Sequence, residues 1–473
     1  MTLTTHPCAI ERDALTAFQW APQPDAERFV LGTVNAFLSH CPVAQRLASR
    51  MREQTGTRFH DWIDHISLPA TSENESSVTA AGYVCVSDED RLRVFRQPHG
   101  IFPAILLSAD LTDTLVGIKV ESVADFAAAN GLAYNEGPSF IEGLPLASYR
   151  RLLVTAPHEE PALVAVERHG FRGFVRPAEN FDEKFWMLRH GEMFRLRKRD
   201  FGAAADADEH GFEHAGSRID KSIRDLGVDL TCDLFFAAER DYWQRRNRAA
   251  QAQKARQDRL GLGWANHDHH TYRSSRRHFA RLIALFEKLG FHCRERFYAG
   301  KEAGWGAQVL EQPNAGVVIF ADVDLSPDEL FLDFAHEPLP RRDHLGTVGL
   351  WCALHGESLL AAGMHHLECQ FDFEGLRDQL ERTGVRMMKP FTDFPFLRQA
   401  FTEGERWPVE PGRIDRLLQA GLITTSQAEK FAAEGAIGSH LENLERNQGF
   451  KGFNQTGVSE IIAATDPRKH LAD

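Results

Sequence analysis

Three histidines occur within four residues of this sequence, at His267, His269 and His270, with Asp268 between the first two. A neutral imidazole is a common metal ligand, and a neighbouring carboxylate can hold the proton on its other nitrogen. Residues 279–290, which follow, place apolar side chains at helical spacing and end on a glycine. The stretch therefore predicts a strand that carries imidazoles and a helix that packs behind it.

Strand geometry bears on which imidazole could bind a metal. Side chains alternate along a strand, so His267 and His269 would share one face and His270 would point away. The local pattern does not choose among the three.

A second pair, His365 and His366, follows Gly363 and precedes another amphipathic helix at 373–383. Equivalent positions in paired repeats face each other across a shared pocket, so each histidine strand could contribute one imidazole. Two imidazoles and one carboxylate form a triad that leaves open positions on Fe(II) for substrate and oxygen. On the pattern alone, ordinary core or surface histidines explain the same residues.

These two units belong to a longer repeat, in which a strand, a helix and three further strands recur about four times. The repeat predicts an α+β fold of tandem βαβββ modules, forming two half-barrel domains that curl around a ligand. We expect a helical N-terminal arm (1–55), a non-catalytic pair of modules (56–170), a helical connector (171–260), and a catalytic pair with a C-terminal helix (261–473).

Composition and charge narrow the functional class. With 473 residues, of which 43% are hydrophobic, the chain is long enough for two or three globular domains. Its formal charge of −13 argues against a nucleic-acid binder. No apolar run approaches the ~20 residues of a membrane span, and the first residues lack the features of a signal peptide.

The seven cysteines are scattered and form no C-x-x-C pair, which favours reduced thiols. We therefore expect a cytoplasmic protein whose partner is a small molecule, with no role for nucleic acid or membrane. A homo-oligomer remains open.

Several stretches together carry a family resemblance: 268–271 with 287–291, 364–367, 373–390, and 441–453, which reads L-E-N-L-E-R-N-Q-G-F-K-G-F. In order and spacing they resemble the catalytic half of the 4-hydroxyphenylpyruvate dioxygenase family, in the vicinal-oxygen-chelate superfamily. The strand at 63–66 resembles that family's non-catalytic half. No single motif is specific, and outside these stretches the resemblance is one of architecture.

The resemblance implies a mononuclear non-heme Fe(II) dioxygenase. It places His269, His366 and Glu442 at the metal ligands and Phe453 at an aromatic ring that stacks on substrate. A small 2-oxo acid, as substrate or co-substrate, would chelate Fe(II). Oxidative decarboxylation with O2 would then be coupled to hydroxylation, with no catalytic residue needed beyond the ligands.

The sequence also departs from the family's pattern. Residues 322–326 replace an asparagine-glutamate-proline segment, 424–437 look helical where the family has a glutamine-bearing strand, and 454–458 replace an asparagine-phenylalanine pair. The residues that would hold a phenolic pyruvate therefore cannot be recovered. Gln308 and Arg273 are candidate contacts for a substrate carboxylate, and Arg386 is a further one.

Each assignment has a rival. The rivals are His267 or His270 for His269, His365 for His366, Glu445 for Glu442, a core role for Phe450 and Phe453, and a triad of His65, Glu167 and His269. Glu368 shares a strand face with His366 and could accept a hydrogen bond beside the metal. His65 is better explained as a core or vestigial histidine.

Two other functions compete with this interpretation. One is a 2-oxoadipate-type dioxygenase/decarboxylase, or an extradiol ring-cleaving dioxygenase, of the same fold. The other is a metal-free protein that sequesters a small ligand.

Overall fold

The computed structural model describes residues 20–454, apart from 90, 133–140, 156–160, 179, 203 and 205. The expected C-terminal helix around Ser459 lies outside this range. None of the helices in the described residues combines the length and the apolar character needed to cross a membrane.

The N-terminal sheet is built from two βαβββ modules. The first contains β1 (Ile63–Pro69), a helix (Ser72–Ala80), β2 (Val84–Glu89), β3 (Leu92–Arg96) and β4 (Ala104–Ser108), and the second contains β5 (Leu115–Lys119), a helix (Val123–Ala129), β6 (Ile141–Glu142), β7 (Tyr149–Leu153) and β8 (Ala162–Arg168). The strand order is β2-β3-β4-β1-β5-β8-β7-β6. The modules therefore join edge to edge through their first strands.

The C-terminal sheet repeats this order. Its third module contains β9 (His267–Arg273), a helix (Phe279–Lys288), β10 (His292–Tyr298), β11 (Trp305–Gln312) and β12 (Val317–Asp324), and its fourth contains β13 (His366–Gln370), a helix (Phe373–Glu381), β14 (Thr392–Phe394), β15 (Leu397–Phe401), β16 (Glu405–Trp407) and β17 (Ala436–Arg446). The order is β10-β11-β12-β9-β13-β17-β15-β14, with β16 on β17. The predicted fold of four βαβββ modules in two curled sheets is confirmed.

The remaining helices cover the sheets. Two N-terminal helices (Pro24–His40 and Pro42–Thr55) precede β1, four connector helices (Phe181–Arg195, Ala207–Leu226, Val228–Gln244 and Arg248–Asp258) link the sheets, one (Thr347–His355) precedes β13, and two (Pro411–Gln419 and Thr425–Glu434) precede β17. The connector helices share a buried core with the outer face of the C-terminal sheet, in which Phe236 packs against Phe286 and Phe291. This packing leaves the concave face of the sheet for a site.

Two local predictions need correction. The segment 385–389, expected as a strand, makes only an isolated bridge between Met387 and Thr402. The strands of the fourth module begin at Thr392 instead. The strand pattern also hid the helix Ser72–Ala80, because its sequence, S-E-N-E-S-S-V-T-A, offers only Val78 as a buried side chain. Its start is marked by Thr71, whose side chain accepts a hydrogen bond from the Asn74 backbone N–H.

A buried ion cluster ties the N-terminal sheet to the connector. His169 Nδ1 is 2.9 Å from Asp233 Oδ2, and its Nε2 is 2.9 Å from Glu167 Oε1 on β8. Arg150 Nη1 donates to the same Glu167 carboxylate over 2.8 Å. Burial alone would lower the pKa of His169, but the two carboxylates raise it to about 10.

This cluster predicts a pH dependence of stability. Because the folded pKa of His169 lies above its ordinary value of 6.5, its stabilisation is complete below that pH and is lost as pH rises towards about 10. His169→Gln should remove that part of the decline, as measured by urea unfolding from pH 6 to pH 10. Parallel pH curves for the variant and the parent protein would contradict the assignment.

Candidate metal centre

A β-bulge in β9 decides where the histidines point. His269 and His267 pair with consecutive residues of β13, so Asp268 is an extra residue on the bulged strand. The bulge turns His267 to the side of His270, and the two ring centroids lie 5.2 Å apart. The expectation that His267 and His269 share a face is therefore wrong, because strand alternation breaks at Asp268.

Three residues on adjacent strands form the centre of the site. His269 on β9, His366 on β13 and Glu442 on β17 are all buried, and their ligand atoms lie within 4.8 Å of one another. His366 Nε2 is 3.0 Å from Glu442 Oε2, and the two imidazole centroids are 6.2 Å apart. The structure thus brings together the three residues that the resemblance assigns to the metal.

The far side of each imidazole has an acceptor. His269 Nδ1 is 3.4 Å from Asp268 Oδ2, and His366 Nδ1 is 2.8 Å from His365 Nδ1. With Nδ1 protonated in both rings, Nε2 presents its lone pair towards Glu442. Burial lowers the pKa of both His269 and His366, so both rings are neutral, as metal ligation requires.

Asp268 itself is held by a buried arginine. Arg446 Nη2 lies 3.0 Å from Asp268 Oδ2, and its Nε lies 3.1 Å from Oδ1. Burial alone would raise the pKa of Asp268, but the Arg446 guanidinium keeps it well below its ordinary value. Asp268 is therefore a charged acceptor that can fix the ring of His269.

Two carboxylates, Glu368 and Glu442, lie side by side on paired strands. Gln399 Nε2 donates to one oxygen of each, over 3.2 Å in both cases. In the described part of the chain neither carboxylate forms an ion pair with a lysine or arginine, and Glu368 Oε2 has no hydrogen-bond partner. Burial raises the pKa of both groups, and for Glu368 the charge of Glu442 adds to the effect.

This donor set fits a divalent cation. Two neutral imidazoles and two buried carboxylates would carry a charge of −2, which a dication balances. Mixed nitrogen and oxygen ligands suit Fe(II), Zn(II) and Mn(II). The orphaned oxygen of Glu368 is a buried polar atom of the kind that an ion would satisfy.

Two site residues escaped the sequence analysis. Gln399 lies on β15 beside β17, so the expectation that the glutamine-bearing strand is replaced is wrong. The helix Thr425–Glu434 is inserted after that strand and does not substitute for it. His440, two residues before Glu442 on β17, stacks on Phe401 with centroids 4.1 Å apart. The alternation S-H-L-E in 439–442 was the available sequence sign.

His440 also belongs to a second group of possible ligands. His365, His366 and His440 are buried with ligand atoms within 4.8 Å of one another, and neither ring nitrogen of His440 has a partner among the described residues. This cluster lacks a carboxylate, so a dication there would be uncompensated. We therefore assign the metal to the neighbouring set with Glu442.

The predicted substrate residues have different surroundings. The Phe453 ring stands perpendicular to His269 at 5.4 Å and packs on Phe320 at 4.4 Å, so it covers the metal side of the imidazole. Arg273 on β9 lies buried with its Nε 3.7 Å from Asp322 Oδ2. The Gln308 amide donates to the backbone carbonyls of Glu295 and Val309, which occupies its N–H groups.

Other candidates lie away from the site. Arg386 is exposed and pairs with Glu403, while Phe450 packs on Phe396 in a separate core cluster. Glu445 accepts a hydrogen bond from the Phe373 backbone N–H over 2.8 Å, on the opposite face from Glu442.

The alternative triad of His65, Glu167 and His269 is not assembled. Glu167 is engaged by Arg150 and His169, and His65 lies on β1 of the other sheet, 2.7 Å from Asp64.

The N-terminal sheet carries a counterpart of this arrangement. Arg168 binds Asp64 and the backbone carbonyls of 171 and 173, as Arg446 binds Asp268 and the carbonyls of 450 and 452. A bulge likewise precedes His65. In register with the C-terminal ligands, however, this sheet has Leu115 at the position of His366 and Val164 at that of Glu442. His65 is therefore vestigial.

The paired arginines give a matched test. Arg446→Gln should weaken binding of a divalent metal by about 10-fold or more, because Asp268 then no longer fixes His269. Arg168→Gln removes the equivalent bonds to Asp64 and should leave the metal affinity unchanged, although both variants lose thermal stability. Calorimetric titration with Co(II) measures the affinities, and equal affinities in the two variants would refute the role of Arg446.

Comparisons with known proteins add a likeness in structure. No family model matches the sequence, and no curated protein matches it. Among solved structures, the chain is similar to a glyoxalase superfamily protein from Ralstonia eutropha JMP134 (12% identity, TM-score 0.33, 59% of this chain and 100% of that chain). It is also similar to a mutant of 4-hydroxymandelate synthase from Streptomyces coelicolor (12%, 0.27, 87% and 99%) and to methylmalonyl-CoA epimerase from Mycobacterium tuberculosis (14%, 0.23, 39% and 89%). At these identities and TM-scores the likenesses carry no conclusion about activity.

Proposed function

We propose that this protein is a mononuclear non-heme Fe(II) dioxygenase that oxidatively decarboxylates a small 2-oxo acid and hydroxylates the product. The observation that supports it most is the convergence of His269, His366 and Glu442 within 4.8 Å on three neighbouring strands. Two imidazoles and one carboxylate on one side of a metal leave the other side open, which is the arrangement that oxygen-activating Fe(II) sites use.

The bound Fe(II) would supply chelation of the 2-oxo acid through its carboxylate and keto oxygens, together with reductive activation of O2. The protein's part is to hold neutral imidazoles at His269 and His366 and to exclude water. Phe453 and Phe320 pack at the His269 ring, and Phe401 lies 5.3 Å from the ring of His366. A dry site strengthens the electrostatic attraction between a dication and an anionic substrate.

The distribution of charge argues against the metal-free alternative. A protein that sequesters a neutral or anionic ligand gains nothing from Glu368 and Glu442 packed together without a cation, since burial of unpaired carboxylates is costly. The same ligands would also serve ring cleavage of a catechol, so the enzyme alternatives differ in substrate rather than in donor set.

Metal binding tests the proposal directly. Anaerobic titration should give about one Fe(II) per chain, and His269→Ala or Glu442→Ala should abolish binding because each removes a ligand. His65→Ala, at the equivalent position of the N-terminal sheet, is the matched control and should bind iron normally. Iron binding that survives in both ligand variants would refute the triad.

Gas exchange separates the enzyme alternatives. We expect one or more small 2-oxo acids to stimulate oxygen uptake with release of one CO2 per O2, because decarboxylation is coupled to reduction of oxygen. The measurement is an oxygen-electrode screen of 2-oxo acids and catechols, with CO2 followed in parallel. Uptake with catechols, and without CO2, would contradict the 2-oxo-acid reaction and favour ring cleavage.

A further inference from the structure

Glu368 is placed where a fourth ligand would be. It lies two residues beyond His366 on the same face of β13, in register with His269 on one side and Glu442 on the other. It is fully buried, with 0% of its surface exposed. The strand positions alone therefore aim its carboxylate at the same point as the three ligands proposed above.

The contacts of Glu368 divide its two oxygens between two tasks. Oε1 accepts a hydrogen bond from Gln399, the amide that also binds Glu442 Oε1. Oε2 lies 2.6 Å from His269 Nε2 but has no hydrogen-bond partner among the described residues. One amide thus orients two carboxylates so that Oε2 of each faces an imidazole Nε2.

The close approach of Glu368 to His269 is not explained by a hydrogen bond. His269 uses Nδ1–H towards Asp268, which leaves Nε2 without a proton to donate. Two lone-pair atoms brought this near in a buried place repel each other unless a positive partner lies between them. The geometry is that of two ligands of one cation.

The N-terminal sheet shows that the fold itself does not need this carboxylate. Gly117 occupies the equivalent register position opposite His65, and a Cβ there would lie 2.5 Å from the His65 ring. The same bulge, histidine and strand pairing are thus built without an acidic residue. Glu368 is therefore present for a function of the C-terminal site.

We propose that Glu368 is an exchangeable fourth ligand, which closes one open position of the metal until a 2-oxo acid binds. This inference rests on the proposed function. Four protein ligands leave two positions of an octahedral ion, whereas a bidentate 2-oxo acid and O2 need three. The bond from Glu368 Oε2 to the metal must therefore break as the two substrate oxygens bind, and the substrate carboxylate replaces its charge at the metal. The device keeps O2 from the metal until substrate is present.

Glu368→Gln and Glu368→Ala test this role. Both variants keep three ligands, so they should still bind one Co(II) per chain, with affinity lower by about 10-fold and an altered visible absorption spectrum. Without substrate, their Fe(II) should oxidise in air several-fold faster than that of the parent protein. Glu445→Gln, on the outer face of β17, is the control and should change neither property.

The outcomes separate this inference from the proposed function. If the parent protein binds no metal, the proposed function fails and takes this inference with it. If the parent protein binds metal but both Glu368 variants match it in affinity, spectrum and oxidation rate, only the fourth ligand is refuted. Far-ultraviolet circular dichroism of each variant establishes that it is folded, and the glutamine variant keeps the side-chain volume if alanine proves unstable.

Discussion

The C-terminal sheet is constrained by two carboxylates that it holds side by side in its interior. Glu368 and Glu442 are buried on paired strands, and the nearest charged arginine, Arg446, is already bound to Asp268. Coulomb repulsion between such groups is strong at low dielectric, so the arrangement costs stability unless protons or a cation compensate it. That a fold keeps this cost points to a site whose occupied state matters more than its empty one.

The other features of the site follow from holding that cation. The bulge at Asp268 turns His269 inwards, the Arg446 pair charges the acceptor behind it, and Gln399 fixes both carboxylates. Aromatic rings close the cup around the imidazoles. Each element belongs to a different strand, so the site exists only when the two modules pair through β9 and β13.

Much of this could be predicted from the sequence, and the failures have physical causes. The four-module fold followed from the repeat of strand, helix and glycine, because hydrophobic periodicity is a local property. The face on which His267 lies was mispredicted, since a bulge is set by register with the partner strand rather than by local alternation. Gln399 and His440 were missed because their importance comes from neighbours on β17, distant in sequence from Gln399. Their hydrogen bonds and ring contacts appear only after pairing.

The most direct test of the central claim is the anomalous scattering of crystals grown with Fe(II) or Co(II) under anaerobic conditions. The account predicts one strong peak per chain, bounded by His269 Nε2, His366 Nε2 and Glu442, with Glu368 as a further contact when no 2-oxo acid is bound. A peak among His365, His366 and His440, or none at all at full metal loading, would contradict it.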